Sequence, residues 1–200
     1  KLRPSNIDAS AGSLEEIERV VGQIWARWPG VQIVLRADSG FARDCLMSWC
    51  EANGVQFVFG LARNSRLERE IEPELQQAQA LCEQQGGPAR LFKDFRYRTH
   101  DSWSAARRVI GKAEYLPAGP NPRFIVTSLA SKDWDARALY EDFYCARGDM
   151  ENRIKEQQLD LFADRTSTAT MKANQLRLWF ASMAYVLIER LRAIALAGTA

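Results

Sequence analysis

Two short apolar runs with a helical segment between them form the first recognisable pattern in the chain. Residues 31–35 and 55–59 are almost continuously apolar and rich in β-branched or aromatic side chains, which favours strands buried on both faces. Residues 41–53 show helical periodicity, and Gly54 is suited to the position after a helix end. The strand–helix–strand order predicts a right-handed crossover and parallel pairing.

Residues 90–130 have a different pattern, in which short alternating segments are separated by turn residues. This pattern predicts an antiparallel β meander over 95–98, 107–115 and 123–129. We expect its exposed face to be basic and to bind an anionic partner such as a DNA backbone. The basic side chains are Arg90, Lys93, Arg96, Arg98, Arg107, Arg108 and Lys112.

Helical periodicity predicts the remaining elements. Ser13 is a candidate N-cap, and Glu16 three positions later completes a capping box. The two C-terminal helices are long, and the second is apolar enough to be a packed core helix. The predicted helices are 13–28, 65–85, 134–161 and 170–196.

The composition is that of a folded domain. The 200 residues are 46% hydrophobic and 26% charged, which excludes a disordered chain. No run of about 18 uncharged apolar residues is present, so no membrane span or membrane partner is expected. The net charge of +2 identifies no partner. The four cysteines lack a metal-binding spacing and the chain has one histidine, so we expect free thiols in a reducing cytoplasm.

Asp38 is the first candidate for chemistry. It follows the first apolar run, at the strand end where open α/β sheets bind ligands and metals. Ser39-Gly40 then allows the backbone to turn sharply. The alternative is that Asp38 or Ser39 only caps the following helix.

The predicted helix over residues 138–161 supplies the second candidate. Its polar residues recur at spacings of three and four, which places them on one face: Tyr144, Arg147, Glu151, Lys155 and Gln158. An adjoining apolar row would anchor the helix to the sheet: Leu139, Phe143, Met150, Ile154 and Leu161. The alternative is a solvated face with ion pairs four residues apart.

The two candidates together indicate metal-dependent phosphoryl transfer. A carboxylate at a strand end and another from a packed helix can converge on a hard divalent cation. Basic residues beside them suit an anionic substrate, and two-metal phosphoryl transfer uses this combination.

These residues resemble those of a known family. Tyr144-x2-Arg147-x3-Glu151 resembles the Y-x2-R-x3-E-x6-K signature of DDE transposases from bacterial insertion sequences, and residues 144–156 resemble the subgroup with an E-N-x-I-K-E core. Residues 36–41, Arg-Ala-Asp-Ser-Gly-Phe, resemble the motif R-x-D-S-G-F around the second aspartate of these enzymes. The resemblance covers essentially the whole chain.

The resemblance implies an α/β protein with an RNase H-like core, an inserted antiparallel β region and C-terminal helices. Asp38 and Glu151 would be two of three acids that hold Mg²⁺ or Mn²⁺, and Tyr144 and Arg147 would contact transposon-end DNA. Double-stranded DNA would be the partner, and a homodimer would hold two ends together. Gln158 stands where the signature has lysine, and we expect Lys155, one turn earlier, to substitute for it.

The resemblance also predicts a division of the chain and a missing part. We expect part of the core in 1–64, the insertion in 65–130 and the helices carrying Glu151 in 131–200. The chain begins at Lys1 without an initiator methionine, and the strand carrying the first aspartate has no counterpart here. We therefore expect a truncated core that is inactive alone. Two alternatives are a metal-dependent nuclease without strand transfer and a decayed, DNA-binding remnant.

Overall fold

A mixed sheet organises most of the chain. The computed structural model describes residues 2, 6–8 and 10–197, apart from the side chains of Arg147 and Asp149. Within this part, β1 (Val34–Ala37) and β2 (Gln56–Leu61) are parallel neighbours connected through α2 (Asp44–Ala52), which confirms the predicted strand–helix–strand order and the parallel pairing. The other strands are β3 (Ala89–Tyr97), β4 (Arg107–Leu116), β5 (Gly119–Pro120) and β6 (Arg123–Thr127).

The predicted meander is confirmed, and it continues the same sheet. The strand order is β1-β2-β6-β4-β3, with β5 paired to β4, and every pairing except that of β1 with β2 is antiparallel. Leu61 at the end of β2 lies opposite Phe124 in β6. Strands from the predicted parts 1–64 and 65–130 therefore share one sheet, whereas the division of the chain into three parts stays a prediction.

The two faces of the sheet are buried by different helices. On one face, Phe57 and Phe59 pack in a cluster with side chains from α1 (Ser13–Arg27), α2, α3 (Ser65–Glu70) and α4 (Glu72–Gln85). On the other face, Val58 and Ile110 pack against a segment that follows β6. β2 is thus buried on both faces, as predicted. β1 is only half-buried, because it is an edge strand of this sheet.

Two helix boundaries differ from the prediction for local reasons. Gly12, in the left-handed region at φ 70°, precedes the first helix, and Ser13 is already helical and makes no cap bond. The predicted helix 65–85 is two helices that meet at Ile71. Pro73 has no N–H to donate to the preceding turn, so a continuous helix would lose a bond there.

The predicted continuous helix over 134–161 is also wrong. α5 (Ala136–Ala138) passes into a π-helical segment, Leu139–Tyr144, and then into a single 3₁₀ turn, Cys145–Arg147. The Cys145 N–H donates to the Tyr140 carbonyl, which is the wider spacing of a π-helix. Tyr144 therefore does not share a regular α-helical face with Glu151.

The chain divides into a sheet unit, residues 8–146, and a helical unit that comprises the described part of residues 1–7 and 147–197. The helical unit contains α6 (Gly148–Leu161) and α7 (Met171–Ala195). Polar contacts join these helices: Gln157 donates to Ser182 at 2.6 Å and the Tyr185 hydroxyl to Glu156 at 3.0 Å.

Two predictions about the C-terminal helices are wrong, because the apolar side chains concerned are exposed. These are that α7 is a packed core helix and that an apolar row anchors residues 138–161 to the sheet. Trp179 and Met183 of α7 are 59% and 61% exposed, because polar side chains occupy the face toward α6. In the predicted row, Leu139 is fully buried, whereas Met150 and Ile154 are 59% and 47% exposed. No helix in the described part of the chain combines the length and hydropathy that a membrane crossing requires.

The prediction that Arg107 and Arg108 lie on an exposed basic face is wrong. β4 lies between β6 and β3, and Arg107 and Arg108 are only 3% and 7% exposed. Arg107 donates to Glu51 and to Asp44, each at 2.7 Å. Arg108 donates to Asp94 at 2.7 Å and to two backbone carbonyls. A buried guanidinium must be paired, and these pairs leave neither arginine directed at DNA.

We expect Arg107→Gln to lower the free energy of unfolding by about 3 kcal/mol, because it leaves two carboxylates facing each other without their cation. Urea unfolding measures this loss. Arg27→Gln, at an exposed position of α1, is the control and should change stability by less than about 0.5 kcal/mol. Equal effects of the two substitutions would contradict the structural role of Arg107.

The pH dependence of the free energy of unfolding tests the same ion pairs in a second way. Burial alone would raise the pKa of Asp44, but hydrogen bonds from Arg107 and Ser104 together lower it. A lowered pKa contributes stability above the ordinary value of about 4, and this contribution is lost as the pH falls through the folded-state pKa. The wild-type chain should therefore lose stability more steeply in acid than Arg107→Gln.

Candidate active site at the end of β1

Asp38 directly follows β1 and begins the 3₁₀ turn Ser39–Phe41. Its Oδ1 accepts a hydrogen bond from the Gly40 N–H at 2.9 Å, so the capping role considered as the alternative is present. The carboxylate is nevertheless exposed, and Oδ2 has no hydrogen-bond partner among the described residues. One oxygen thus fixes the side chain while the other faces solvent, which is compatible with a ligand role.

Arg36 connects this strand end to the segment that contains Tyr144. Its guanidinium donates to the Phe143 carbonyl at 2.5 Å and to the Ala146 carbonyl at 3.4 Å, and it lies 5.6 Å from the Phe143 ring centre. Arg36 and Phe143 are 107 positions apart in the sequence. Arg36 belongs to the predicted motif, but no role was predicted for it. The sequence feature that could have indicated a role is a positive charge on a strand, two residues before a candidate acid.

Tyr144 lies against the turn that follows Asp38. A Cβ atom built on Gly60 would be 2.6 Å from the Tyr144 hydroxyl oxygen and 2.9 Å from the Ser39 nitrogen. Both distances are shorter than real Cβ contacts allow. The glycine in β2 therefore permits the tyrosine hydroxyl and the Asp38–Ser39 backbone to approach the same strand.

A buried polar cluster supports the tyrosines of this segment. Tyr140 packs on Tyr144 with ring centres 5.7 Å apart, and Lys112 lies 5.6 Å from the Tyr140 ring centre. Lys112 donates to Glu114 at 2.6 Å. Burial raises the pKa of Tyr140. Burial alone would also raise the pKa of Glu114, but bonds from Lys112 and Asn121 together lower it. The cluster holds Tyr140 neutral and Glu114 charged.

The predicted site residues that follow Tyr144 in the chain lie in the helical unit. Glu151, Lys155 and Gln158 are exposed residues of one regular α-helix, so their spacing places them on one side of α6. The side chain of Arg147 lies outside the described residues. Asp38 belongs to the sheet unit and Glu151 to the helical unit, and the meeting of the two carboxylates stays a prediction.

The described residues contain no group of three or more His, Cys, Asp or Glu side chains that could hold a metal ion. Two single carboxylates, those of Asp38 and Glu151, carry the oxygen donors that a hard divalent cation prefers. Among the arginines predicted to contact DNA, Arg96 and Arg98 are exposed, unlike Arg107 and Arg108.

Sequence comparison agrees with the mixed α/β fold and defines the class. The family model described as "Transposase DDE domain group 1" matches residues 1–200. The chain belongs to the DDE transposase family, whose members cleave and transfer DNA strands and generally use a divalent metal. No curated protein matches the chain.

We expect Gly60→Ala to destabilise the sheet unit by about 2 kcal/mol, because the added methyl group must displace Tyr144 and the Ser39 backbone. Gly30→Ala is the control, since a Cβ there meets no atom within 4 Å. Thermal unfolding measures both.

A double substitution tests the Tyr144 contact itself. In the Tyr144→Phe background the hydroxyl is absent, so Gly60→Ala should cost less than in the wild-type chain, while the clash with Ser39 remains. If Gly60→Ala costs no more than Gly30→Ala, the described approach is incorrect.

Proposed function

We propose that the chain is the catalytic region of a bacterial insertion-sequence transposase with an RNase H-like core. The observation that carries this proposal is the contact between two motifs distant in sequence. Arg36 and Asp38 belong to the first motif, and Tyr144 begins the second. An exposed carboxylate at the end of β1, in a turn whose backbone lies near the Tyr144 hydroxyl, supports a site where a bound metal ion would hold a phosphodiester.

Asp38 and Glu151 are the proposed metal ligands in this site. Both are exposed carboxylates, and Asp38 keeps one oxygen without a hydrogen bond to the described chain. When bound, Mg²⁺ or Mn²⁺ would neutralise charge on the scissile phosphate and activate the attacking hydroxyl group. A third acid is expected by family resemblance, and the proposal assigns it to no described residue.

The chain's own groups position the substrate. The Gly40 N–H fixes the Asp38 carboxylate, and Arg36 fixes the backbone that carries Tyr144. Tyr144, Arg147 and Lys155 would contact DNA beside the cleaved phosphate, and Gln158 would replace the signature lysine only as a neutral hydrogen-bonding group. Water would first attack the phosphodiester at the transposon end and release a DNA 3′-hydroxyl group. That hydroxyl group would then attack a target phosphodiester and displace the 3′-oxygen of the target strand.

Several finer features belong to the same proposal. The chain would follow the E-N-x-I-K-E subgroup, with part of the core in 1–64, an insertion in 65–130 and the helices that carry Glu151 in 131–200. Two copies would hold two DNA ends in the bacterial cytoplasm, beside the nucleoid. Because only two acids are assigned, we expect residues 1–200 alone to show little or no strand transfer.

Metal binding tests the two assigned acids without requiring activity. Electron paramagnetic resonance titration with Mn²⁺ should detect weak binding to the wild-type chain. Asp38→Asn and Glu151→Gln should each weaken it at least about tenfold, because each removes a charged oxygen ligand. Glu15→Gln, in the first turn of α1, is the matched control. An affinity of Asp38→Asn equal to that of Glu15→Gln would reject Asp38 as a ligand.

A further inference from the structure

We propose that four arginines between α3 and the end of β3 form a binding site for a backbone phosphate of DNA. The site is an open cleft of about 360 Å³ on the sheet unit. α3 contributes Arg66 and Arg69, and the other two arginines, Arg96 and Arg98, come from β3 and the residue after it. Only the second pair was expected from the sequence to contact DNA.

Contacts with the chain hold Arg66 and Arg98 in place. The Arg66 guanidinium lies 5.0 Å from the ring centre of Tyr97 and donates to the Arg98 carbonyl at 3.3 Å. Tyr97 is buried, and its hydroxyl accepts a hydrogen bond from Asn64 at 3.2 Å. Arg98 donates through Nε to the Trp103 carbonyl at 3.0 Å. Both cations are therefore positioned before a ligand arrives.

The remaining two arginines are held in the same manner. Arg69 donates through Nε to the Ser65 carbonyl at 3.2 Å, and Arg96 donates to the Ala106 carbonyl. An arginine side chain has five N–H donors. Each of these contacts uses one of them and leaves the others available to an anion.

The charge of the cleft is unbalanced. Among the described residues, none of the four arginines forms an ion pair, whereas Arg107 and Arg108 are both paired to carboxylates. Glu70 is the single acid on the lining, so four positive charges and one negative charge leave a net charge of +3. Like charges that are held together repel one another, and an anion in the cleft would relieve this repulsion.

A phosphodiester of a DNA backbone fits this open cleft better than a small molecule that would need an enclosed pocket. Guanidinium groups bind phosphate oxygens with paired, charge-assisted hydrogen bonds. The cleft is open and exposed, so a long duplex can reach it. This assignment to DNA rests on the proposed transposase function, although the phosphate chemistry does not depend on the metal site.

Salt-dependent binding of a 20-base-pair duplex of arbitrary sequence tests the proposal. Fluorescence anisotropy between about 50 and 300 mM NaCl gives the slope of log affinity against log salt concentration. This slope is negative, and each lost phosphate contact lowers its magnitude by about 0.9. Arg66→Gln/Arg69→Gln should therefore lower it by up to about 1.8. Arg19→Gln/Arg27→Gln removes two exposed arginines from α1 and should leave it unchanged.

Two further variants keep the test valid if the double substitution disturbs Tyr97. Arg69→Glu changes a side chain that hydrogen-bonds to the Ser65 carbonyl, whereas the guanidinium over the Tyr97 ring is that of Arg66. This substitution should weaken duplex binding at least about fivefold, whereas Arg69→Lys keeps the charge and should retain most of it. Equal slopes for the two double variants, or no duplex binding by the wild-type chain, would overturn the site. Displacement of the duplex by millimolar inorganic phosphate at constant ionic strength would instead assign the cleft to free phosphate.

The outcome is separable from that of the metal-site proposal. Reduced slopes together with unchanged Mn²⁺ affinity in Asp38→Asn would support the phosphate site and reject the proposed catalytic ligands. Unchanged slopes together with weakened Mn²⁺ binding would give the opposite result.

Discussion

The close approach of the Ser39 backbone and the Tyr144 side chain to Gly60 is the constraint on which the candidate site depends. Ser39 nitrogen and the Tyr144 hydroxyl both occupy the space that a side chain at this position would fill. Arg36 adds hydrogen bonds between the same two segments. These contacts fix the end of β1, the turn that follows it and Tyr144. The Asp38 carboxylate can therefore keep one orientation although it is exposed.

Six arginines of the sheet unit form two groups with different physical roles. Arg107 and Arg108 lie on a central strand, where the cost of burying a cation is offset by carboxylates and carbonyls. The arginines of the cleft lie at the end of an edge strand and on a short helix, where water remains accessible. The first group stabilises the fold, and the second is available to a partner.

Sequence periodicity predicted the positions of the strands better than it predicted the contacts of the charged side chains on them. The parallel pair and the meander follow from apolar runs and alternation, because these patterns record which side chains are buried. The sequence pattern of Arg107 and Arg108 is the same for an exposed strand and for a strand whose charges meet Asp44, Glu51 and Asp94. Only the sheet order distinguishes the two cases.

The sequence motifs predicted part of the candidate site. They did not predict the parts that depend on irregular helical structure. Asp38 at a strand end was expected from the sequence. The π-helical segment that ends at Tyr144 has no simple sequence pattern, and it removes the single helical face assumed for Tyr144 and Glu151. The contacts of Arg36 and Gly60 join residues that are far apart in the sequence. Periodicity describes neighbouring positions along the chain and cannot predict such contacts.

The central proposal is that Asp38 and Glu151 bind one metal ion, and localised cleavage by bound iron tests it most directly. Fe²⁺ with ascorbate and peroxide generates hydroxyl radicals that cut the polypeptide near the metal. The account predicts two cut regions, one around residue 38 and one around residue 151, both suppressed by excess Mg²⁺ and both lost in Asp38→Asn. Cleavage around only one of these residues, or cuts near residue 151 that persist in Asp38→Asn, would contradict it.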